Sequence, residues 1–257
     1  MIISRTPFRV SFFGGGTDYP IWYQEHGGAV ISTTIDKYCF VTLRHLPPFF
    51  DYSYRIRYYL REETKTIDEI QHPSVRECLR LMKNNRGIEM VHYADLPAQS
   101  GLGSSSTFTV SLLHALYTLQ HQMPTKRELA LNALQVEQKM IGENVGSQDQ
   151  VAAAFGGLNH IQFGGANEFM VTPIILSPEK TNYLSDHFLL FFTGLQRFAS
   201  EIAAEQIKET KQKTLELREM QALTEEAYAI FTQSYSNQPL DDFPTLIVWQ
   251  FFRIMIL

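Results

Sequence analysis

Residues 96–107 read Leu-Pro-Ala-Gln-Ser-Gly-Leu-Gly-Ser-Ser-Ser-Thr. Ahead of this stretch, Ile88 to Ala94 has the composition of a strand. After it, Phe108, Leu112, Leu113, Leu116 and Leu119 recur on one helical face. A strand therefore feeds a glycine-serine loop, and a helix starts at once. Glycine lets the backbone take dihedrals and approaches that a Cβ forbids. The first amides of a helix have no intrahelical acceptor and carry the positive end of its dipole. Together these features suit an anion, the phosphates of a nucleotide above all. Serine hydroxyls add donors and a hard oxygen for magnesium. A Walker loop needs Lys after its last glycine, which is absent here, and a dinucleotide fingerprint needs glycine where Ser106 stands. A capped strand-to-helix turn would use the same residues.

On the N-terminal side, residues 66–85 read as a helix closed by Gly87. Residues 2–13 read as a strand broken by Gly14-Gly15-Gly16. Between them, Ala29 to Arg44 is rich in β-branched and aromatic residues and forms one or two strands. On the C-terminal side, Thr125 and Glu128 form a capping box at a helix start. A short alanine-rich helix follows Ser147, then a strand pair at 158–163 and 169–176 and a strand at 187–194. The glycine- and proline-free stretch 195–238 makes one or two long helices. This order, without strict βαβ alternation, predicts an α+β fold.

The chain has 257 residues, 44% hydrophobic and 19% charged, with a formal net charge of −5 and no long basic run. Nothing in it points to nucleic acid. Cys39 and Cys78 are far apart, so a reducing compartment is expected. No zinc-type spacing of Cys and His occurs. Met1 to Val10 lacks the pattern of a secretory leader. The apolar stretch 246–257 is too short to span a bilayer and is broken by Gln250 and Arg253. The expectation is a cytoplasmic protein without membrane or nucleic-acid partners; the oligomeric state is not encoded in any pattern found.

Two further segments carry charged residues beside glycines. TPFRVSFFGGGTDY (6–19) places Arg9 on a strand and Asp18 beyond the triple glycine. VEQKMIGENVGSQDQ (136–150) places Glu137 on a helix and Asp149 near the start of the next. Taken singly, Glu137 suits a solvated helix face, and Asp149 suits a first-turn carboxylate with Ser147 as cap.

In conjunction, the three segments resemble the galactokinase/homoserine kinase/mevalonate kinase/phosphomevalonate kinase superfamily. TPFRVSFFGGGTDY is similar to its first motif. Pro97 to Ser105 is similar to Pro-x3-Gly-Leu-Gly-Ser-Ser, with Gln99 departing from the usual small residue. Glu137 to Gln150 is similar to the galactokinase segment that ends Met-Asp-Gln with a Glu twelve residues before the Asp. Galactokinases carry Gly-Glu-His-Thr-Asp-Tyr. The GGGTDY of this chain looks more like the D-glycero-D-manno-heptose 7-phosphate kinases and, more distantly, the kinase part of fucokinase. Losing that Glu is sensible for a phosphorylated substrate, which a carboxylate would repel.

The resemblance implies a two-lobed fold. Residues 1–168 would form a domain like the second domain of ribosomal protein S5, and 169–257 a partial ferredoxin-like domain, with the active site between them. It implies ATP on Pro97, Ser100, Gly101, Leu102, Gly103, Ser104, Ser105 and Ser106, and Mg2+ on Ser105 and Glu137. Asp149 would be the base, with Arg9 beside it. Gly15, Gly16, Thr17, Asp18 and Arg197 would contact a sugar or sugar phosphate. The expected reaction is transfer to an anomeric hydroxyl. A fucose, galactose or N-acetylhexosamine kinase, or an inactive ligand-binding homologue, are the alternatives. The family ends in a third, glycine-rich motif, and no adjacent glycines occur after residue 165. Ten of the last fourteen residues are apolar and none is acidic. A C-terminal half cut short or frame-shifted is the expectation.

Overall fold

The computed structural model describes residues 1–98, 100–189, 199–210 and 212–233. Arg197, the end of the strand expected at 187–194 and the tail 244–257 lie outside the described residues. The elements are β1 Ile2–Phe13, α1 Pro20–His26, β2 Gly28–His45, β3 Tyr54–Arg57, β4 Arg61–Thr64, α2 Pro73–Leu81, β5 Ile88–Ala94, α3 Ser104–Leu119, α4 Lys126–Leu134, α5 Gln148–Phe155, β6 Leu158–Phe163, β7 Phe169–Pro173, α6 Pro178–His187, α7 Ala199–Glu209 and α8 Thr214–Gln233. The fold is α+β, as expected. By compactness one unit comprises Met1–Arg9 with Thr34–Gly156, and the other Val10–Thr33 with the described residues from Gly157 onward.

In the first unit, β5 lies between β3 (parallel) and β2 (antiparallel), and β4 pairs with β3. Alternation decides which face is buried. Val41 and Leu43 of β2 and Ile88 and Met90 of β5 are fully buried against Val75 and Leu79 of α2 and Leu112, Leu113 and Leu116 of α3. In the second unit, β6 pairs antiparallel with β2 and with β7, confirming the predicted strand pair. Phe13, Ile31, Ala227 and Phe231 form its core, and Trp22 packs with Leu217 and Met220. Ala29–Arg44 is one strand rather than two.

The helix predicted over 66–85 is shorter. A 3-10 turn at Ile67–Glu69 precedes α2, which starts at Pro73 and ends at Leu81. Pro73 lacks the N–H that a helix interior needs, so it can only begin one. Gly87 does not close this helix; a Cβ there would lie 2.4 Å from the Ser53 carbonyl oxygen, so its role is close backbone approach. The capping box stands as predicted: Thr125 Oγ1 accepts from Glu128 N at 3.1 Å, and Glu128 Oε2 accepts from Thr125 N at 2.8 Å.

His72, just before α2, packs its ring against Tyr58 and Phe108 at 4.8 and 5.0 Å between centroids. Burial lowers its pKa to about 4. The folded state thus holds this imidazole neutral, while the unfolded chain protonates it near pH 6.5. Its contribution to stability is complete above that pH and is lost as pH falls toward 4. His72→Phe, which keeps a ring but cannot titrate, is expected to show a shallower fall in melting temperature between pH 7 and pH 4.5. A fall as steep as in the unaltered chain would assign the acid sensitivity elsewhere.

Candidate active site

Arg9 lies at the middle of β1, where its side chain reaches two other segments of the first unit. Its Nε and Nη2 donate to Asp149 Oδ1 at 2.8 and 2.7 Å, its Nη1 to Gly101 O at 2.9 Å, and its backbone N to Leu102 O at 3.3 Å. One guanidinium therefore ties the glycine-serine loop to the first turn of α5. The fork geometry of arginine makes this possible; a lysine has no second arm. The Arg9 side chain is 10% exposed and that of Asp149 26%, so the carboxylate is held but reachable. Gly103 packs on both: a Cβ there would stand 3.3 Å from Arg9 Cγ and 3.3 Å from Asp149 Oδ2. Its φ of +74° also suits glycine.

Gly103 is the N-cap of α3 and offers no side-chain cap, and the first intrahelical bond runs from Thr107 N to Gly103 O at 2.9 Å. The amides of Ser104, Ser105 and Ser106 come before it, directed out of the helix end. Ser100 Oγ is buried and has no hydrogen-bond partner among the described residues. A buried hydroxyl without a partner is uncommon, and in a glycine-rich loop it marks a candidate contact. Leu102 packs against the core beneath the loop, and Pro97 is exposed.

Glu137 corrects the solvated-face reading, for it is completely buried. After Leu134, α4 continues as a π-helix, Gln135–Ile141. A π-turn inserts a residue and so rotates the helix beyond it, a distortion found often at functional sites. Glu137 Oε2 accepts from Ser106 Oγ at 2.7 Å and from Gln150 Nε2. Burial raises its pKa to about 7, against the hydroxyls of Thr109 and Ser106 and the Gln150 amide, which favour the charged form; nearby Glu143 raises it further. The Thr109 hydroxyl also donates to Ser105 O at 3.2 Å, and Glu137 Oε1 has no hydrogen-bond partner among the described residues. Ser106, not Ser105, is thus the serine in contact with Glu137, and Ser105 is exposed. A carboxylate oxygen left orphaned and a serine hydroxyl at a helix start fit a divalent cation that takes its other oxygens from phosphate and water. Among the described residues no group of three or more Asp, Glu, His or Cys side chains is placed to hold a metal ion alone. Ser147 stands at the N-cap of α5 but gives no side-chain cap; its hydroxyl accepts from Gln138 Nε2 at 3.0 Å.

The turn after β1 belongs to the second unit. Thr17 is fully buried; its hydroxyl donates to Gly14 O at 2.8 Å and meets Ala29 O and N at 3.0 and 3.2 Å. Asp18, 1% exposed, accepts from Gly16 N at 3.1 Å. Thr17 and Asp18 therefore brace the turn, and Gly15 and Gly16 are its partly exposed members. The sequence alone offered no sign of this bracing, nor of Gln150 and Ser106 as partners of Glu137.

The family model described as GHMP kinases N terminal domain matches residues 73–157. The chain is 29% identical over 211 residues to the D-glycero-alpha-D-manno-heptose 7-phosphate kinase of Campylobacter jejuni, covering 78% of this chain and 62% of that protein. It is 25% identical over 222 residues to the bifunctional fucokinase/GDP-fucose pyrophosphorylase of Arabidopsis thaliana, covering 76% of this chain and 20% of that one. The chain thus spans only part of the length of these relatives. Among solved structures, a D-glycero-D-manno-heptose 1-phosphate kinase from Bacteriodes thetaiotaomicron superposes with a TM-score of 0.68 at 24% identity, over 87% of this chain and 75% of that one. Mevalonate kinase of Methanococcus jannaschii superposes at 0.65 with 16% identity, over 99% and 78%. No helix among the described residues is long and apolar enough to cross a membrane. Residues 73–157 therefore match the GHMP kinase N-terminal domain, and the chain has the fold seen in the solved GHMP kinases.

Proposed function

We propose that the chain transfers the γ-phosphoryl group of ATP to a hydroxyl of a sugar or sugar phosphate, the favoured acceptor being the anomeric hydroxyl of D-glycero-D-manno-heptose 7-phosphate. The observation that carries this reading is Arg9 holding Asp149 against the glycine-serine loop. The phosphates are assigned to the loop amides and hydroxyls of Ser100–Ser106, at the positive end of α3. The acceptor is assigned to the turn Gly15–Asp18, where Gly15 and Gly16 present bare backbone and Thr17 and Asp18 hold its shape; Arg197 is assigned as a second contact. Asp149 takes the proton of the attacking hydroxyl as that oxygen bonds to the γ-phosphorus and the bond to the β-phosphate oxygen breaks. Arg9 balances the charge that gathers there. Phosphoryl transfer needs mainly positioning and charge stabilisation, so this small set suffices. Glu137 would hold magnesium together with a serine hydroxyl from the start of α3, Ser105 by the family pattern or Ser106, which touches Glu137, and the ion when bound would neutralise phosphate charge. In this reading, residues 1–168 and 169–257 correspond to the two family domains, and the protein is cytoplasmic.

Incubation with ATP, Mg2+ and a panel of heptose 7-phosphate, galactose, fucose and N-acetylhexosamines tests the reading, with ADP release and product NMR as readouts. Turnover greatest with heptose 7-phosphate, at its anomeric position, is expected. Preference for another sugar would replace the acceptor, and no ADP above background with any of them would remove the kinase assignment. Glu137→Gln is expected to raise the magnesium concentration for half-maximal turnover about tenfold, because a neutral amide is a poorer ligand for a hard cation. An unchanged magnesium requirement with a lowered melting temperature would make Glu137 structural.

A further inference from the structure

Gln150 follows Asp149 on the first turn of α5 and is completely buried. Successive residues of a helix point about 100° apart, so the two neighbours face different surroundings. Asp149 meets Arg9, while Gln150 Nε2 donates to Glu137 Oε2, 13 residues back along the chain. An ionised carboxylate only accepts, so the amide presents its nitrogen there. Ser106 Oγ donates to the same oxygen at 2.7 Å. Both donors therefore act on Oε2, and Oε1 is buried with no hydrogen-bond partner among the described residues. The start of α5 is itself tied to the π-turn that carries Glu137. Gln138 Nε2 donates to Ser147 Oγ at 3.0 Å and to Val145 O at 3.3 Å.

A carboxylate is planar and rigid, so donors that fix one oxygen also fix where the other points. Gln150 Oε1 has no partner among the described residues, a cost that interior packing alone does not explain. We propose that Gln150 is a positioning residue for the divalent cation: it holds Glu137 Oε2 from the side of α5 and so keeps Oε1 directed at the ion. One helix turn then carries both the base and the support of the metal carboxylate. The inference rests on the assignment of Mg2+ to Glu137. Partners that orient a metal-binding carboxylate typically change metal affinity about 10–100-fold when removed.

Gln150→Met keeps the length of glutamine and removes the donor. Calorimetry measures binding of a non-hydrolysable ATP analogue with and without Mg2+, and no acceptor is present. Mg2+ is expected to tighten the analogue on the unaltered chain. In Gln150→Met that gain is expected to shrink about tenfold, with the Mg2+-free affinity within about twofold. In turnover, half-saturating Mg2+ is expected to rise about tenfold, while kcat at saturating Mg2+ falls by about threefold at most. On a Glu137→Gln background, Gln150→Met is expected to weaken the Mg2+ gain by no more than about twofold further, because both changes act through one carboxylate. Asp149→Asn, on the same helix turn, is expected to keep the full gain. A Gln150→Met gain equal to that of the unaltered chain overturns the proposal. So do affinities that fall alike with and without Mg2+ beside a lower melting temperature, which make Gln150 a packing residue. Should Gln150→Met fail to fold, Gln150→Leu is read by the same criteria. No gain from Mg2+ in the unaltered chain would remove the ion from Glu137, and the proposal with it, by a result that involves no variant.

Discussion

Asp149→Asn is expected to lower kcat by about 10²–10⁴ while leaving ATP affinity nearly unchanged. The structure makes this substitution a clean one. Arg9 Nε and Nη2 both address Asp149 Oδ1, and an asparagine carbonyl at that position can still accept from them. The grip of Arg9 on Gly101 O is independent of the change, so the glycine-serine loop keeps its tether. The negative charge and the ability to take a proton are lost. Turnover measured at saturating ATP and acceptor, with nucleotide binding followed by calorimetry, separates the two effects. More than half of the unaltered kcat would return Asp149 to the role of a first-turn carboxylate on α5.

Gly14→Ala is expected to destabilise the second unit by about 3 kcal/mol or more. A Cβ at residue 14 would fall 1.8 Å from the Ala29 carbonyl oxygen and 2.9 Å from Val30 Cα, both backbone atoms of a paired strand. The φ of +84° adds strain for any residue with a side chain. Relief by moving the turn would stretch the bonds from Thr17 N and Thr17 Oγ1 to Gly14 O, now 3.0 and 2.8 Å. Equilibrium urea unfolding would register the loss as a lower midpoint with an unchanged slope. A cost under about 1 kcal/mol would mean that the turn shifts freely and that the hydroxyl of Thr17 does not anchor it to β2.

Local chemistry was readable from the amino-acid order. Thr125 and Glu128 cap one helix because their partners lie three residues apart. Ile88–Ala94, the glycine-serine loop and α3 emerge from a change of hydrophobic period across two glycines. The resemblance of three ordered segments grouped Arg9, the loop and Asp149 together, and their contact in the folded chain agrees with it. Other properties were set only in the tertiary structure. Whether Ser105 or Ser106 meets Glu137 depends on the rotation of α3 against a π-turn that no residue pattern announces. Glu137 reads in sequence as a carboxylate on a solvated helix face, because charge favours water, and nothing around Asp18 announces burial. They are buried here because Ser106 and Gln150 donate to one, and the Gly16 amide to the other. Gly87 read as a helix stop, yet its backbone neighbour is Ser53, 34 residues away in sequence. Periodicity and capping depend on neighbours within about one helical turn, whereas burial, pKa and hydrogen-bond partners depend on which distant segments pack together, and that packing is a property of the whole fold.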